Sequence, residues 1–158
     1  MGQPLKRTFF LADQDATGQL ARQLAKALPE IPCGWVILLQ GELGSGKSTL
    51  ARAMLRSMGH SGSVPSPTYT LVEPYEFPKY CVYHIDLYRI ADPDELEFLG
   101  WSDLADGLRL VEWPERIPDL QAVADVLIEL GYEGSGRVAE LTGLSERGAR
   151  LVKAVSLV

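Results

Sequence analysis

The pattern of apolar and polar positions predicts alternating helices and strands in the first part of the chain. Over residues 15–28 apolar side chains recur at helical spacing, and Pro29 follows where a helix has to end. The apolar run 35–39 is continuous and rich in strand-favouring residues, as expected for a buried central strand. Residues 48–58 contain no glycine or proline and predict a second helix, which Gly59 closes.

Shorter apolar segments dominate the rest of the chain. Residues 62–78 carry four prolines and alternate polar with aromatic residues, which is typical of a long loop or an edge strand. An acidic N-cap at Asp92, Pro93 at the first helical position and a following glutamate predict a short helix over 95–99. Further strands are predicted at 81–88, 108–113, 126–130 and 137–141, with mostly antiparallel pairing towards the end.

This order of elements predicts an α/β fold, with a mixed central sheet flanked by helices. The chain has 158 residues, of which 46% are apolar, and this is enough for one core of ordinary size. We therefore expect a single domain over residues 1–158, in which 1–12 and 145–158 are the segments that could be flexible ends.

A glycine-rich segment at 41–48 matches the pattern G-x-x-x-x-G-K-[ST] between a predicted buried strand and a predicted helix. Backbone N–H groups of such a loop surround phosphate oxygens at a helix N-terminus. Lys47 is expected to reach the β- and γ-phosphates, Ser48 to ligate magnesium, and Thr49 to lie near the α-phosphate. The fold is thus predicted to be P-loop NTPase-like, and the ligand to be ATP with Mg²⁺.

Such a loop needs an acid on a neighbouring strand to hold magnesium or its waters. Asp86 and Glu112 each end an apolar run, although either could be a solvated residue at a strand end. His84 shares a strand face with Asp86 and is interpreted as a packed strand residue. Thr68 lies where switch proteins keep a hydroxyl that senses the γ-phosphate, and an ordinary edge-strand threonine is the alternative.

Charge and composition exclude several other classes of protein. A formal net charge of -6 argues against a surface that grips nucleic acid phosphates alone, so a nucleic-acid role would need a partner. The longest apolar run, 35–39, is far below the roughly 20 residues that a membrane span needs. The N-terminal segment lacks the pattern of a secretory signal, and we expect a cytoplasmic protein.

Five segments together resemble the TsaE family, and the strings S-P-T-Y and H-x-D-L-Y-R are more specific to it than the P-loop is. These segments are 41–49, 66–72, 84–89, 95–97 and 111–115, in the family's order and spacing over about 13–115. The resemblance implies a magnesium-dependent ATPase, weak without partners, that acts on the TsaB–TsaD heterodimer. That pair installs threonylcarbamoyl on adenosine 37 of tRNA, with a donor that TsaC makes, so this chain would meet tRNA only through the complex.

The same resemblance implies a role for individual residues. The nucleotide-binding positions are Gln14 near adenine, the loop residues Gly44, Ser45, Gly46, Lys47, Ser48 and Thr49, and Trp113 beside the nucleotide. Ser48, Glu112 and Asp86 form the metal site, with Asp86 as the Walker B acid and Thr68 as the switch residue; catalysis would rest on Lys47, Asp86, Thr68 and Glu112. The family usually has threonine at the position of Ser48, and either hydroxyl can ligate magnesium. The resemblance is loose beyond Glu115 and leaves Arg137 without a role.

Other readings of the P-loop remain open. A small-metabolite kinase would share the loop and the acids but needs an arginine-bearing lid, for which Arg147 and Arg150 are the candidates. A GTP switch predicts an N/T-K-x-D motif that no lysine of the chain provides. A nucleotide-binding scaffold without turnover is the third alternative.

Overall fold

A seven-stranded mixed sheet organises the computed structural model, which describes residues 4–65, 67 and 71–157. Its strands are β1 Lys6–Leu11, β2 Val36–Gly41, β3 Val72–Glu76, β4 Cys81–Asp86, β5 Leu108–Glu112, β6 Val126–Glu133 and β7 Gly136–Gly143. The spatial order is β1-β7-β6-β2-β5-β4-β3. The four central strands β6, β2, β5 and β4 are mutually parallel, whereas β1, β7 and β3 pair in the antiparallel sense. The carboxyl ends of the central strands therefore meet along one edge of the sheet.

Both faces of the sheet are covered. The helices are α1 Gln14–Ala27, α2 Lys47–Ser57, α3 Glu95–Phe98 and α4 Glu146–Ala154, joined by 3-10 helices at Trp101–Asp106, Pro114–Arg116 and Pro118–Ala122. Apolar side chains of α1, α2 and α4, such as Leu24, Met54 and Leu151, pack into one buried core, and the short helices close a second core on the opposite face. In the part of the chain that the structure describes, no helix is long and apolar enough to cross a membrane.

The predicted α/β class, with a mixed sheet flanked by helices, is confirmed. Segment 62–78 does contain an edge strand, β3, and β6 pairs with β7 in the antiparallel sense as expected. The short helix α3 begins at Glu95 as predicted, but its predicted N-cap, Asp92, is wrong. Asp92 forms a turn instead, in which its carboxylate accepts from Asp94 N at 2.9 Å and its carbonyl accepts from Glu95 N at 2.9 Å. Asp94, whose side chain makes no capping hydrogen bond, occupies the N-cap position.

The flexibility of the two ends stays a prediction; over the residues that the structure describes, both terminal segments pack against the sheet. β1 pairs with β7 along its whole length, and Leu151 and Val152 of α4 are buried. Asp125, buried just before β6, accepts hydrogen bonds from Val36 N at 2.9 Å, Ser145 Oγ at 2.7 Å and Arg147 Nε at 2.8 Å. This cluster ties the start of α4 to the starts of the central strands β2 and β6, a link that a local pattern cannot reveal.

Candidate functional site

The glycine loop lies at the edge where the central parallel strands end. β2 runs into it at Gly41, and α2 begins at Lys47, as the sequence predicts. Gly44 and Gly46 have φ values of 82° and 111°, a left-handed conformation that side chains rarely adopt. A side chain at Gly41 would collide with Ser45 and with the Leu130 carbonyl oxygen. The glycine pattern is therefore required by the backbone path of the loop.

Lys47 is buried within the loop that it follows in sequence. Its Nζ donates a hydrogen bond to the Gly41 carbonyl oxygen at 2.5 Å and lies 3.3 Å from the ring centroid of Trp113. Burial lowers the pKa of Lys47, and the nearby carboxylates, Glu112 foremost, oppose that shift. The ammonium group is thus poised over the glycine loop, against an aromatic face that favours a cation.

The two predicted acids lie side by side behind the loop. Asp86 ends β4 and Glu112 ends β5, and the parallel register places them opposite each other. Ser48 Oγ donates to the Glu112 carboxylate, 3.1 Å from each oxygen, and Asp86 accepts from Tyr88 N at 2.8 Å. Burial raises the pKa of Asp86, and the neighbouring Glu112 charge adds to that shift. Because both acids are buried, neither is a solvated strand-end residue.

His84 is a member of the site to which the sequence analysis assigned no chemistry. It is buried on β4, as that analysis expected, and its Nε2 lies 2.5 Å from Glu112 Oε2. Strand alternation puts His84 and Asp86 on one face, and this was the sequence feature that could have indicated His84 as part of the site. The contact itself depends on the pairing of β4 with β5, which the sequence does not reveal.

Lys47, Asp86 and Glu112 line a cavity of about 330 Å³. Its walls are formed by Leu43, Gly44, Gly46, Lys47, Ser48, Thr49, Asp86, Tyr88, Glu112 and Trp113. β5 ends at Glu112, and Trp113 takes the left-handed conformation with φ 59°, so its indole turns towards the cavity. The indole packs on Tyr88 with ring centroids 4.9 Å apart. Eight predicted site residues thus share one cavity, while Ser45 is buried in the loop behind it.

A second cavity, of about 280 Å³, lies on the other side of the loop and shares Gly44, Gly46 and Thr49 with the first. Gln14 lines it, and so does Arg137, which the sequence left without a role. Arg137 Nη2 donates to the Gly44 carbonyl oxygen at 3.4 Å. Its guanidinium lies 4.2 Å from the ring centroid of Tyr132. The loop is therefore flanked by a carboxylate-rich cavity and by one that carries an amide and a guanidinium.

The donor set fits magnesium. Mg²⁺ prefers oxygen ligands and is usually held by one or two protein groups together with phosphates and water. Ser48 and Glu112 present such oxygens 3.1 Å apart, with Asp86 beside them. Among the residues that the structure describes, no group of three His, Cys, Asp or Glu side chains could hold a metal alone. The predicted switch residue Thr68 lies outside the described residues.

Comparisons with known proteins agree on one family. A sequence model described as "Threonylcarbamoyl adenosine biosynthesis protein TsaE" matches residues 11–139. A TsaE protein of Haemophilus influenzae is 39% identical over 153 residues, which covers 94% of this chain and 97% of that protein. A TsaE protein of Synechocystis is 44% identical over 118 residues, 71% of this chain and 73% of that protein. Both are named as tRNA threonylcarbamoyladenosine biosynthesis proteins.

The fold has a counterpart among solved structures. The crystal structure of Bacillus subtilus YdiB superposes with a TM-score of 0.76, covers 98% of this chain and 97% of that chain, and is 23% identical in sequence. This similarity confirms the overall fold.

Proposed function

This chain belongs to the TsaE family of threonylcarbamoyl adenosine biosynthesis proteins, and we propose that its own contribution is magnesium-dependent hydrolysis of ATP. The observation that carries the proposal is the pair of cavities joined across the P-loop. One holds a lysine, a hydroxyl and two carboxylates, groups that would suit a magnesium-bound triphosphate, and the other would take the nucleoside.

The nucleotide would cross the loop from one cavity to the other. Its β- and γ-phosphates would lie over the loop amides and Lys47, which lines the cavity. The base and ribose would occupy the cavity of Gln14 and Arg137. Gln14 offers both a donor and an acceptor to a purine edge, which suits adenine. The absence of the N/T-K-x-D sequence motif supports adenine over guanine.

The acids would divide the work of the reaction between them. Ser48 and Glu112 would hold Mg²⁺, which supplies charge neutralisation on the transferring phosphoryl group. Asp86 would orient a water of the metal shell from its position beside Glu112. Thr68 would sense the γ-phosphate. Lys47 would stabilise charge on the phosphate oxygens during cleavage.

The proposed partner is the TsaB–TsaD heterodimer, which ATP hydrolysis would reset between rounds of threonylcarbamoyl transfer to adenosine 37. The net charge of -6 supports a chain that meets tRNA only through this complex, in the cytoplasm. The kinase alternative is disfavoured by Arg147, one of its two candidate lid residues. That side chain is held by Asp125 and by the Gly34 carbonyl oxygen at 2.9 Å, at the sheet edge opposite the P-loop.

The decisive experiment measures ATP turnover with and without TsaB–TsaD, together with formation of threonylcarbamoyladenosine on tRNA. We expect slow turnover alone, faster turnover in the complex, and loss of both signals with Lys47→Ala. Hydrolysis of ATP that is independent of the partners and irrelevant to tRNA modification would contradict the partner role. Phosphorylation of a small metabolite would favour the kinase.

A further inference from the structure

We propose that His84 is a positioning residue that holds Glu112 in the geometry needed to bind magnesium. The inference rests on the proposed function, because it concerns the metal site of that function. His84 is not among the residues that line the cavity; it would act through Glu112, which does line it. Its imidazole is one layer behind the cavity, 1% exposed.

The chemistry of a carboxylate assigns the direction of this hydrogen bond. An ionised carboxylate only accepts, so the Nε2 atom of His84 carries the hydrogen that it shares with Glu112 Oε2 at 2.5 Å. In the neutral imidazole Nδ1 is then an acceptor, and among the described residues no group donates to it. Among the described residues, Glu112 is therefore the group to which the imidazole ring is hydrogen-bonded.

The contact limits how Glu112 can turn. Without His84, the Glu112 carboxylate would keep its hydrogen bond from Ser48 Oγ, which lies 3.1 Å from both carboxylate oxygens. A single hydroxyl would leave the carboxylate free to rotate. With His84 on Oε2, the carboxylate is fixed from two sides, by β4 and by α2. A hydrogen-bonded partner of a ligating carboxylate typically changes metal affinity by about 10–100-fold when it is removed.

Two substitutions separate positioning from packing. His84→Leu keeps most of the volume and removes the donor, whereas His84→Gln keeps an N–H at nearly the reach of Nε2. Binding of ATP is measured by calorimetry in Mg²⁺ and in EDTA. We expect His84→Leu to weaken ATP binding in Mg²⁺ at least about tenfold and to change ATP binding in EDTA little. His84→Gln should keep most of the native affinity in Mg²⁺.

Matched controls tie the effect to Glu112. His60, half-buried against Tyr75 and outside the site, receives the same change, and His60→Leu should leave both measurements unaltered. In a Glu112→Gln background, His84→Leu should have no further effect, since the coupled partner is already gone. A further loss of ATP affinity from His84→Leu in the Glu112→Gln background would overturn the proposal. So would an equal loss of affinity in Mg²⁺ and in EDTA, or a His84→Gln variant whose affinity is as low as that of His84→Leu.

If His84→Leu does not fold, a measurement on the native protein tests whether His84 donates to Glu112. Nitrogen-15 NMR of labelled histidine reports which ring nitrogen carries hydrogen. We expect His84 in the Nε2–H form, with a signal that shifts when Mg²⁺ and ATP are added together and His60 as the unshifted reference. An Nδ1–H form, or a silent His84, overturns the inference. A native chain that binds no ATP would instead contradict the proposed function.

Discussion

The buried Asp125 cluster gives a sharp prediction for stability. Asp125 is 4% exposed, and its two carboxylate oxygens accept from Val36 N, Ser145 Oγ and two nitrogens of Arg147. In Asp125→Asn one oxygen remains, and an amide donor replaces the other. Turned one way, the amide NH2 faces Val36 N and Arg147 Nη2; turned the other way, it faces Arg147 Nε and the Ser145 hydroxyl, so it meets a nitrogen of Arg147 that can only donate in both orientations.

The cost can be estimated from these contacts. A donor left without its acceptor, Val36 N in the first orientation or Arg147 Nε in the second, costs about 1–3 kcal/mol. Loss of the ion pair adds only about 1 kcal/mol, because the Arg147 side chain is 40% exposed and regains water. The sum is about 3 kcal/mol, which for a chain of this size corresponds to a fall in Tm of roughly 6–12 °C.

Thermal unfolding followed by circular dichroism measures this effect, with the exposed Asp119→Asn as the control. Burial alone would raise the pKa of Asp125, but the hydrogen bonds from Arg147, Ser145 and Val36 outweigh it and hold the pKa below its ordinary value. A carboxylate whose folded-state pKa is depressed contributes stability above its unfolded pKa, near 3.9. The difference between native and Asp125→Asn chains should therefore be complete at neutral pH and shrink below about pH 4.

Nucleotide binding supplies a second test of this reasoning. Asp125 lies at the starts of β2 and β6, at the opposite edge of the sheet from Gly41. We therefore expect Asp125→Asn to bind ATP normally well below its Tm. A fall in Tm of only a degree or two at pH 7 would refute the energetic estimate. A large loss of ATP affinity would refute the separation of the two ends of the sheet.

Three further predictions concern the cavity that Lys47, Asp86, Glu112 and Trp113 line. Lys47→Ala should abolish ATP binding or hydrolysis with little change in Tm, and near-normal affinity and turnover would reject the P-loop assignment. Asp86→Ala and Glu112→Ala should each reduce magnesium-dependent turnover at least about tenfold, and nucleotide binding less, because the loop amides and Lys47 remain. An acid whose removal leaves turnover normal has no part in the reaction. Trp113→Phe should lose most of the ATP-induced change in fluorescence while it still binds ATP, whereas an unchanged response would place the reporter at another tryptophan.

Much of the site could be predicted from the sequence because its chemistry is local. The P-loop is one stretch of backbone between a strand and a helix, so the spacing of its glycines, Lys47 and Ser48 already specifies their geometry. The strand ends at Asp86 and Glu112 follow from where apolar runs stop. Five separate segments also had the order of one family, and this is why recognition did not need coordinates.

Contacts between distant segments could not be predicted in this way. Alternation along a strand tells which side chains share a face, but the partner strand and its register depend on pairing across the whole sheet. That pairing puts His84 against Glu112, and it brings Arg137 into the same cavity as Gln14. Likewise β1 forms only because β7 offers it an edge, and α4 is tied down by Asp125. Each of these contacts joins residues that are far apart in the sequence and become neighbours only when the chain has folded, so no local pattern predicts them.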